Sequence, residues 1–317
     1  MSLEICFIMN LKSKLFLCLC LSLTINSRIF TQEFIPLWAE GKMPNSKGMV
    51  IKDSIYDERY RQVGTPGMFA YFPSNQHNKG TAVIICPGGG YKHFAYKIGG
   101  TEVAEWFNSK GINAFVLISR LPWSPDIIES DKASLQDAQR AIRLIRANAK
   151  QWGIDPEKIG VMGFSAGGHV ASTLGTHLED VSDISDSLTQ ISFHPDFMLL
   201  VSPVITMGKY THKGSRDNLL GKNPSQELID KYSNELQVTD QTPPAFIVHA
   251  DDDKGVNSLN SIMFYEALHK HNVSVSLHIF PNGGHNIGLI DNPISANTWG
   301  DLCILWLTEM KFVQYKY

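Results

Sequence analysis

Between Ile159 and Ser172 the chain reads IGVMGFSAGGHVAS. A serine between an apolar run and a cluster of tiny residues suits nucleophilic acyl chemistry, which needs the hydroxyl lifted on a tight strand-to-helix turn. The G-x-S-x-G spacing alone carries little weight in a chain with 25 glycines, since it recurs by chance. Its context gives it meaning: an apolar strand candidate precedes it and a small-residue helix candidate follows. A serine hydroxyl is a weak nucleophile until a base takes its proton, and that base must be oriented by a carboxylate. In this arrangement the chain order is Ser, then Asp or Glu, then His. After Ser165, PAFIVHA runs directly into DDDKG, offering Asp251, Asp252 and Asp253 at the end of a strand. VSVSLHIF then runs into PNGGH, which puts His285 on a glycine-rich loop. With 11 histidines in the chain, placement matters more than presence. His269 and His271 fall on a helical segment and His278 within a strand, whereas His285 follows the last strand candidate.

Acyl transfer also needs donors aimed at the developing oxyanion. CPGGGY, from Cys86 to Tyr91, ends the first strong strand candidate. Its three glycines let backbone N–H groups approach a ligand without interference from Cβ. A loop in this place supplies one oxyanion donor, and the residue after the nucleophile, Ala166, supplies another. As a phosphate loop the segment fails, having neither G-x-G-x-x-G nor a following Gly-Lys-Ser/Thr. Tyr91, His93, Trp123 and Tyr210 are candidate pocket-lining residues, with Tyr91 the candidate substrate contact.

These groups must be positioned by a regular scaffold. TAVIIC (81–86), AFVLIS (114–119), KIGVMG, DFMLLVSP (196–203), PAFIVHA (244–250) and VSVSLHIF (273–280) are short apolar runs of strand character. Helical spacing appears between them over 102–111, 134–153, 259–271 and 299–311; in the second of these Ala138, Ile142, Ile145 and Ala149 keep to one face. MFAYF (68–72) adds a short strand in an N-terminal segment rich in Gly, Pro and Asn. Strands alternating with helices predict an α/β class and a mostly parallel central sheet with helices on both faces. Ligands in such sheets bind beyond the carboxyl ends of the strands, where Ser165, the aspartates and His285 all fall.

Composition bounds the answer further. The 317 residues carry 43% hydrophobic and 19% charged side chains and a formal net charge of −3. That excludes a disordered chain and leaves no electrostatic footprint for nucleic acid. Lys12 and Lys14 precede LFLCLCLSLTI, Leu15–Ile25. A basic segment before an apolar stretch of that length predicts a secretory signal peptide over 1–30, with translation starting near Met9 and cleavage near Ser27 or Thr31. The stretch is too short for a stable membrane span. Residues 31–317 are then one catalytic domain, secreted or periplasmic. Beyond the leader only Cys86 and Cys303 remain, which is no disulfide scaffold; both sit in apolar surroundings that predict buried thiols.

CPGGGY, DAQRAIRLIRANA, GVMGFSAGGHVAS, HADDDKGV, NSIMFYEAL and HIFPNGGH together resemble the α/β-hydrolase-fold serine esterases, most closely the secreted bacterial carbohydrate esterases of the acetylxylan and feruloyl type. The resemblance runs from about Phe34 to the C-terminus. It implies Ser165 as nucleophile, His285 as general base, Asp253 as the carboxylate, and Gly89, Gly90 and Ala166 as oxyanion donors. It also implies a short acyl ester, acetyl or feruloyl, on a plant polysaccharide such as xylan, with no metal and no organic cofactor. The chain departs from the family pattern at Asn257, where a proline is usual, and at Asn286, where a glycine is usual. A serine peptidase of the same fold and a lipase-like esterase on non-carbohydrate esters are the alternatives. Glycoside hydrolysis needs two carboxylates flanking one bond, and the sequence shows a Ser–Asp–His set instead.

Overall fold

Alternate residues of the strand Ala82–Cys86 are buried in two different cores: Ala82, Ile84 and Cys86 in one, Val83 and Ile85 in the other. A strand covered on both faces reads as an unbroken apolar run, which is why TAVIIC stands out in the sequence. The computed structural model describes residues 33–183, 186–285, 287–289 and 292–314. The elements in chain order are β1 (Glu33–Pro36), β2 (Ser54–Tyr56), β3 (Arg59–Gln62), β4 (Gly67–Tyr71) and β5 (Ala82–Cys86). Then come α1 (Glu102–Ser109) behind a single π-helical turn, β6 (Asn113–Ile118), α2 (Ser130–Trp152), β7 (Ile159–Phe164), α3 (Ala166–Thr176) and β8 (Met198–Val201). The chain continues through α4 (Lys213–Leu220), α5 (Gln226–Lys231), β9 (Ala245–Ala250), α6 (Leu259–Lys270), β10 (Val275–Phe280) and α7 (Trp299–Glu309).

Eight strands form one sheet in the order β1-β4-β6-β5-β7-β8-β9-β10. From β6 to β10 all neighbours are parallel, and β4 and β1 add an antiparallel edge. Residues of α2, α3 and α6 share one core with the sheet; those of α1 and α7 share the other. This is the α/β-hydrolase fold. Because the strands are parallel, the ends of β5, β7, β9 and β10 all reach the same edge of the sheet. CPGGGY, Ser165, the aspartates and the His285 loop therefore leave that edge side by side.

The helix carrying DAQRAIRLIRANA starts at Ser130, four residues earlier than its apolar pattern. Its first turn is polar, so periodicity does not mark it. Ala138, Ile142, Ile145 and Ala149 are buried as predicted. Its arginines tie down the segment after α3: Arg140 pairs with Asp186, Arg143 with Asp180 and Arg146 with Asp196. Asp137 is fully buried against Arg120 at 2.9 Å and accepts the Trp38 indole N–H at 2.8 Å. That pair anchors the loop following β6. The strand β1, the β2–β3 hairpin and the short helices α4 and α5 are absent from the sequence reading, since each is too short or too polar to show a period.

The glycines of G-x-S-x-G are there for steric reasons. A Cβ on Gly163 would stand 2.1 Å from the Gly167 carbonyl oxygen, and one on Gly167 would stand 2.0 Å from that of Cys86. Backbone cannot yield to such contacts cheaply. Gly167→Ala is expected to destabilise the fold by about 3 kcal/mol, read as a lowered denaturation midpoint at unchanged slope. An unchanged midpoint would show that the turn accommodates a side chain.

Cys86 and Cys303 are free, buried thiols. The described residues fall in one compact unit. The predicted signal peptide, with Cys6, Cys18 and Cys20, lies outside the described residues. Among the described residues no helix is long and apolar enough to cross a membrane.

Candidate active site

Ser165 sits between β7 and α3 with φ 54° and ψ −121°, a backbone conformation that costs free energy for any residue but glycine. The neighbours hold it there. Its N–H donates to the Val201 carbonyl at 3.1 Å and its carbonyl accepts from Val204 N–H at 2.9 Å. The strain projects Oγ beyond the sheet, 2.9 Å from His285 Nε2. The other ring nitrogen, Nδ1, lies 2.8 Å from Asp253 Oδ2. A carboxylate can only accept, so Nδ1 carries the proton and Nε2 presents a lone pair to the serine hydroxyl. Residues separated by up to 120 positions thus form one hydrogen-bonded chain.

Asp253 follows β9 and its side chain is fully buried. Its Oδ1 accepts the N–H groups of Gly255 and Val256 at 2.8 and 2.9 Å. Burial alone would raise its pKa. The hydrogen bonds from His249, His285 and Val256 N–H, with the His285 charge, outweigh burial and hold the carboxyl far below the usual range. Nε2 of His249 lies 3.3 Å from Asp253 Oδ2 and donates to the Val256 carbonyl at 3.0 Å, while Nδ1 meets Ser261 Oγ at 2.7 Å. In the sequence His249 belongs to the apolar run PAFIVHA, four residues before Asp253. Only its invasion of the acidic turn, visible in three dimensions, makes it the carboxylate's second partner.

The other two aspartates separate in role. The Asp251 side chain is exposed. Asp252 Oδ1 accepts the Gly284 N–H at 2.7 Å, and so fixes the loop one residue before His285. Asp252→Ala is expected to lower kcat about tenfold with little change in KM, because a loosened base is displaced from the nucleophile. Equal kcat in wild type and variant would remove this role. Asn286, where the chain departs from its resembled family, lies outside the described residues.

The loop after β5 crosses directly above the serine: a Cβ on Gly88 would stand 3.3 Å from the Ser165 Cβ. Gly89 (φ 141°) and Gly90 (φ 65°) adopt backbone angles that favour glycine. Their carbonyls are occupied elsewhere, Gly89 accepting from Lys92 N–H at 3.0 Å and Gly90 from Asn218 Nδ2 at 2.7 Å. Among the described residues neither glycine N–H has an acceptor, and Ala166 N–H opens α3, where no intrahelical acceptor exists. Gly89 and Ala166 line the same narrow cavity of 10 Å³, with Tyr91, His93 and Phe94 around it. Cys86 also lines it, but burial pushes its thiol up to about 12, so it is no rival nucleophile.

Tyr91 is buried and its hydroxyl is committed. It donates to His169 Nδ1 at 2.7 Å, because His169 Nε2 donates to the Tyr232 carbonyl at 2.8 Å. Its contribution is therefore the ring that walls the cavity and the φ of 60° that turns the loop, with no hydroxyl left for a substrate. Trp123 is 45% exposed, and its indole N–H donates to the Lys92 carbonyl at 3.2 Å. His93 reaches the cavity, whereas the Tyr210 carbonyl accepts from Asn260 Nδ2 at 2.9 Å.

His169, four residues past Ser165, is the buried post under this loop. Burial lowers its pKa to about 4, so the folded state keeps it neutral. The unfolded chain binds more protons than the folded one between pH 6.5 and 4, and stability is lost as pH falls through that window. His169 contributes on the order of 3 kcal/mol to that loss. In His169→Gln the drop in Tm between pH 7 and pH 5 is expected to shrink. A drop as large as in wild type would assign the acid sensitivity to other groups.

Residues 68–268 match the BD-FAE family. This chain belongs to the BD-FAE family. The matched span holds Ser165 and Asp253 and stops short of His285. Endo-1,4-beta-xylanase B of Butyrivibrio fibrisolvens is 40% identical over 225 residues, which cover 70% of this chain and 34% of that protein. Acetylxylan esterase of Xylanibacter ruminicola is 35% identical over 230 residues, 71% of this chain and 44% of that protein. The chain spans less than half the length of either relative. Among solved structures, the acetyl ester-xyloside bifunctional hydrolase of Caldicellulosiruptor lactoaceticus superposes with a TM-score of 0.77 at 37% identity, over 89% of this chain and 98% of that one. The BD-FAE match and this superposition agree with the α/β-hydrolase fold read from the strand order.

Proposed function

We propose that this BD-FAE chain is an exported serine carboxylesterase that removes short acyl groups, acetyl or feruloyl, from xylan or a similar plant polysaccharide. The observation that carries the reading is the unbroken contact from Ser165 Oγ through His285 to the buried Asp253. The names of the relatives from Butyrivibrio, Xylanibacter and Caldicellulosiruptor support the substrate class, since all concern xylan, its acetyl esters or xylosides.

Ser165 Oγ attacks the ester carbonyl carbon as its proton passes to His285 Nε2. Asp253 stabilises the imidazolium through Nδ1. The N–H groups of Gly89, Gly90 and Ala166 receive the oxyanion of the tetrahedral intermediate. Collapse expels the sugar alcohol, which takes the proton from His285 and leaves an acyl-Ser165. Water, deprotonated by His285, then releases the carboxylic acid and restores the serine. Export rests on the basic and apolar N-terminal segment from Lys12 to Ile25. The test is release of acetate from acetylated xylan by the purified chain. Turnover of p-nitrophenyl acetate without acetate from xylan would retain the esterase and remove the substrate class.

A further inference from the structure

His212 stands at the N-terminus of α4 and takes no part in the mechanism above. Its Nδ1 accepts the Ser215 N–H at 3.2 Å and meets Ser215 Oγ at 2.8 Å. A backbone N–H can only donate, so Nδ1 is the lone pair and the neutral ring carries its proton on Nε2. Among the described residues that Nε2–H has no acceptor. The ring is half-buried, so this donor is open to a ligand.

The ring lies beside the reacting groups. A Cβ built on Gly90 would stand 3.8 Å from His212 Cε1, and the charges of His285 and Asp253 both bear on the imidazole. Asn218, on the same short helix, donates to the Gly90 carbonyl at 2.7 Å, which ties α4 to the oxyanion loop. The Cε1 edge of the ring, bonded to Nε2, therefore borders the oxyanion loop at Gly90. Burial, and secondarily the His285 charge, lower the pKa of His212. A ring that stays neutral donates one hydrogen bond without opposing the imidazolium that forms on His285.

We propose that His212 Nε2–H donates a hydrogen bond to an oxygen of the sugar alcohol that leaves, and so selects acylated carbohydrate over simple esters. The proposal rests on the carbohydrate esterase reading above. p-Nitrophenyl acetate shares the acetyl group but offers no sugar oxygen, so the two substrates separate this contact from the chemistry.

The experiment compares wild type, His212→Asn and His212→Ala on acetylated xylo-oligosaccharides and on p-nitrophenyl acetate. Asparagine is a good N-cap and keeps an acceptor for the Ser215 N–H, while its shorter side chain withdraws the donor. Both variants are expected to lose about tenfold more kcat/KM on the oligosaccharides than on p-nitrophenyl acetate. Equal losses on both substrates would overturn the proposal and make His212 a positioning residue for the loop. A loss in His212→Ala that His212→Asn restores would reduce it to a helix cap. Wild-type enzyme that cleaves only p-nitrophenyl acetate would overturn this inference together with the carbohydrate reading, a failure visible before any variant is made.

Discussion

Ser165→Ala is expected to lower kcat on p-nitrophenyl acetate by about four to six powers of ten. The size follows from what is removed. Among the described residues no other hydroxyl is hydrogen-bonded to His285, and the thiol beside the oxyanion loop, Cys86, is buried and kept protonated. What remains is attack by water, assisted only by the N–H donors and by substrate binding. The substitution deletes one oxygen and leaves the elbow intact, since the hydrogen bonds of Ser165 to Val201 and Val204 run through its backbone. Thermal stability should therefore stay within a few degrees of wild type, and circular dichroism checks that the lost turnover is chemical. A variant with near-full activity would remove Ser165 from the reaction and the serine hydrolase reading with it.

Asp253→Asn is expected to cost about 10⁴ in kcat, with an effect on pH-dependent stability that Ser165→Ala lacks. An amide turned toward His285 presents either an N–H where Nδ1–H now donates, or an oxygen without charge. The first arrangement favours the tautomer with its proton on Nε2, which cannot accept from Ser165; the second stabilises the imidazolium less. Asp253 also serves the fold, holding the turn from 253 to 256 and facing buried His249. Its pKa is depressed in the folded protein, so it stabilises the fold fully above the unfolded carboxyl pKa near 3.8. That stabilisation is lost as pH falls below this value toward the folded pKa. Asparagine cannot titrate, so the variant should be less stable than wild type at pH 7 and lose less of its Tm between pH 7 and pH 3. Parallel Tm profiles would show that Asp253 is not the carboxylate held by this network.

Much of the fold was legible because β5 to β9 are buried on both faces. A strand with apolar neighbours on both faces must be apolar throughout, and each of the six parallel strands shows as a run bounded by polar turns. The peripheral pieces were not legible: β1 and β2 are short and largely exposed, and β3 is four mostly polar residues with Tyr60 alone buried, so nothing in their composition separates them from loop. The turn at Ser165 was legible because its glycines leave no room for other residues.

The sequence by itself determined the order of the candidate reacting groups and the places from which they emerge. It did so because parallel strands send all their carboxyl ends to one edge, so chain order and strand pattern together fix a meeting point. Tertiary structure alone decided which neighbours complete the site. Asp251, Asp252 and Asp253 are adjacent and chemically equal as written; folding leaves the first two exposed, with only Asp252 accepting the Gly284 N–H, and buries the third between two histidines. The same holds for His169, His212 and His249. Each is an unremarked histidine in the chain, and each acquires its partners from elements that pack against it only once the sheet has closed. A side chain's type travels with the sequence, but its partners and its protonation are set by burial and by contacts across the fold.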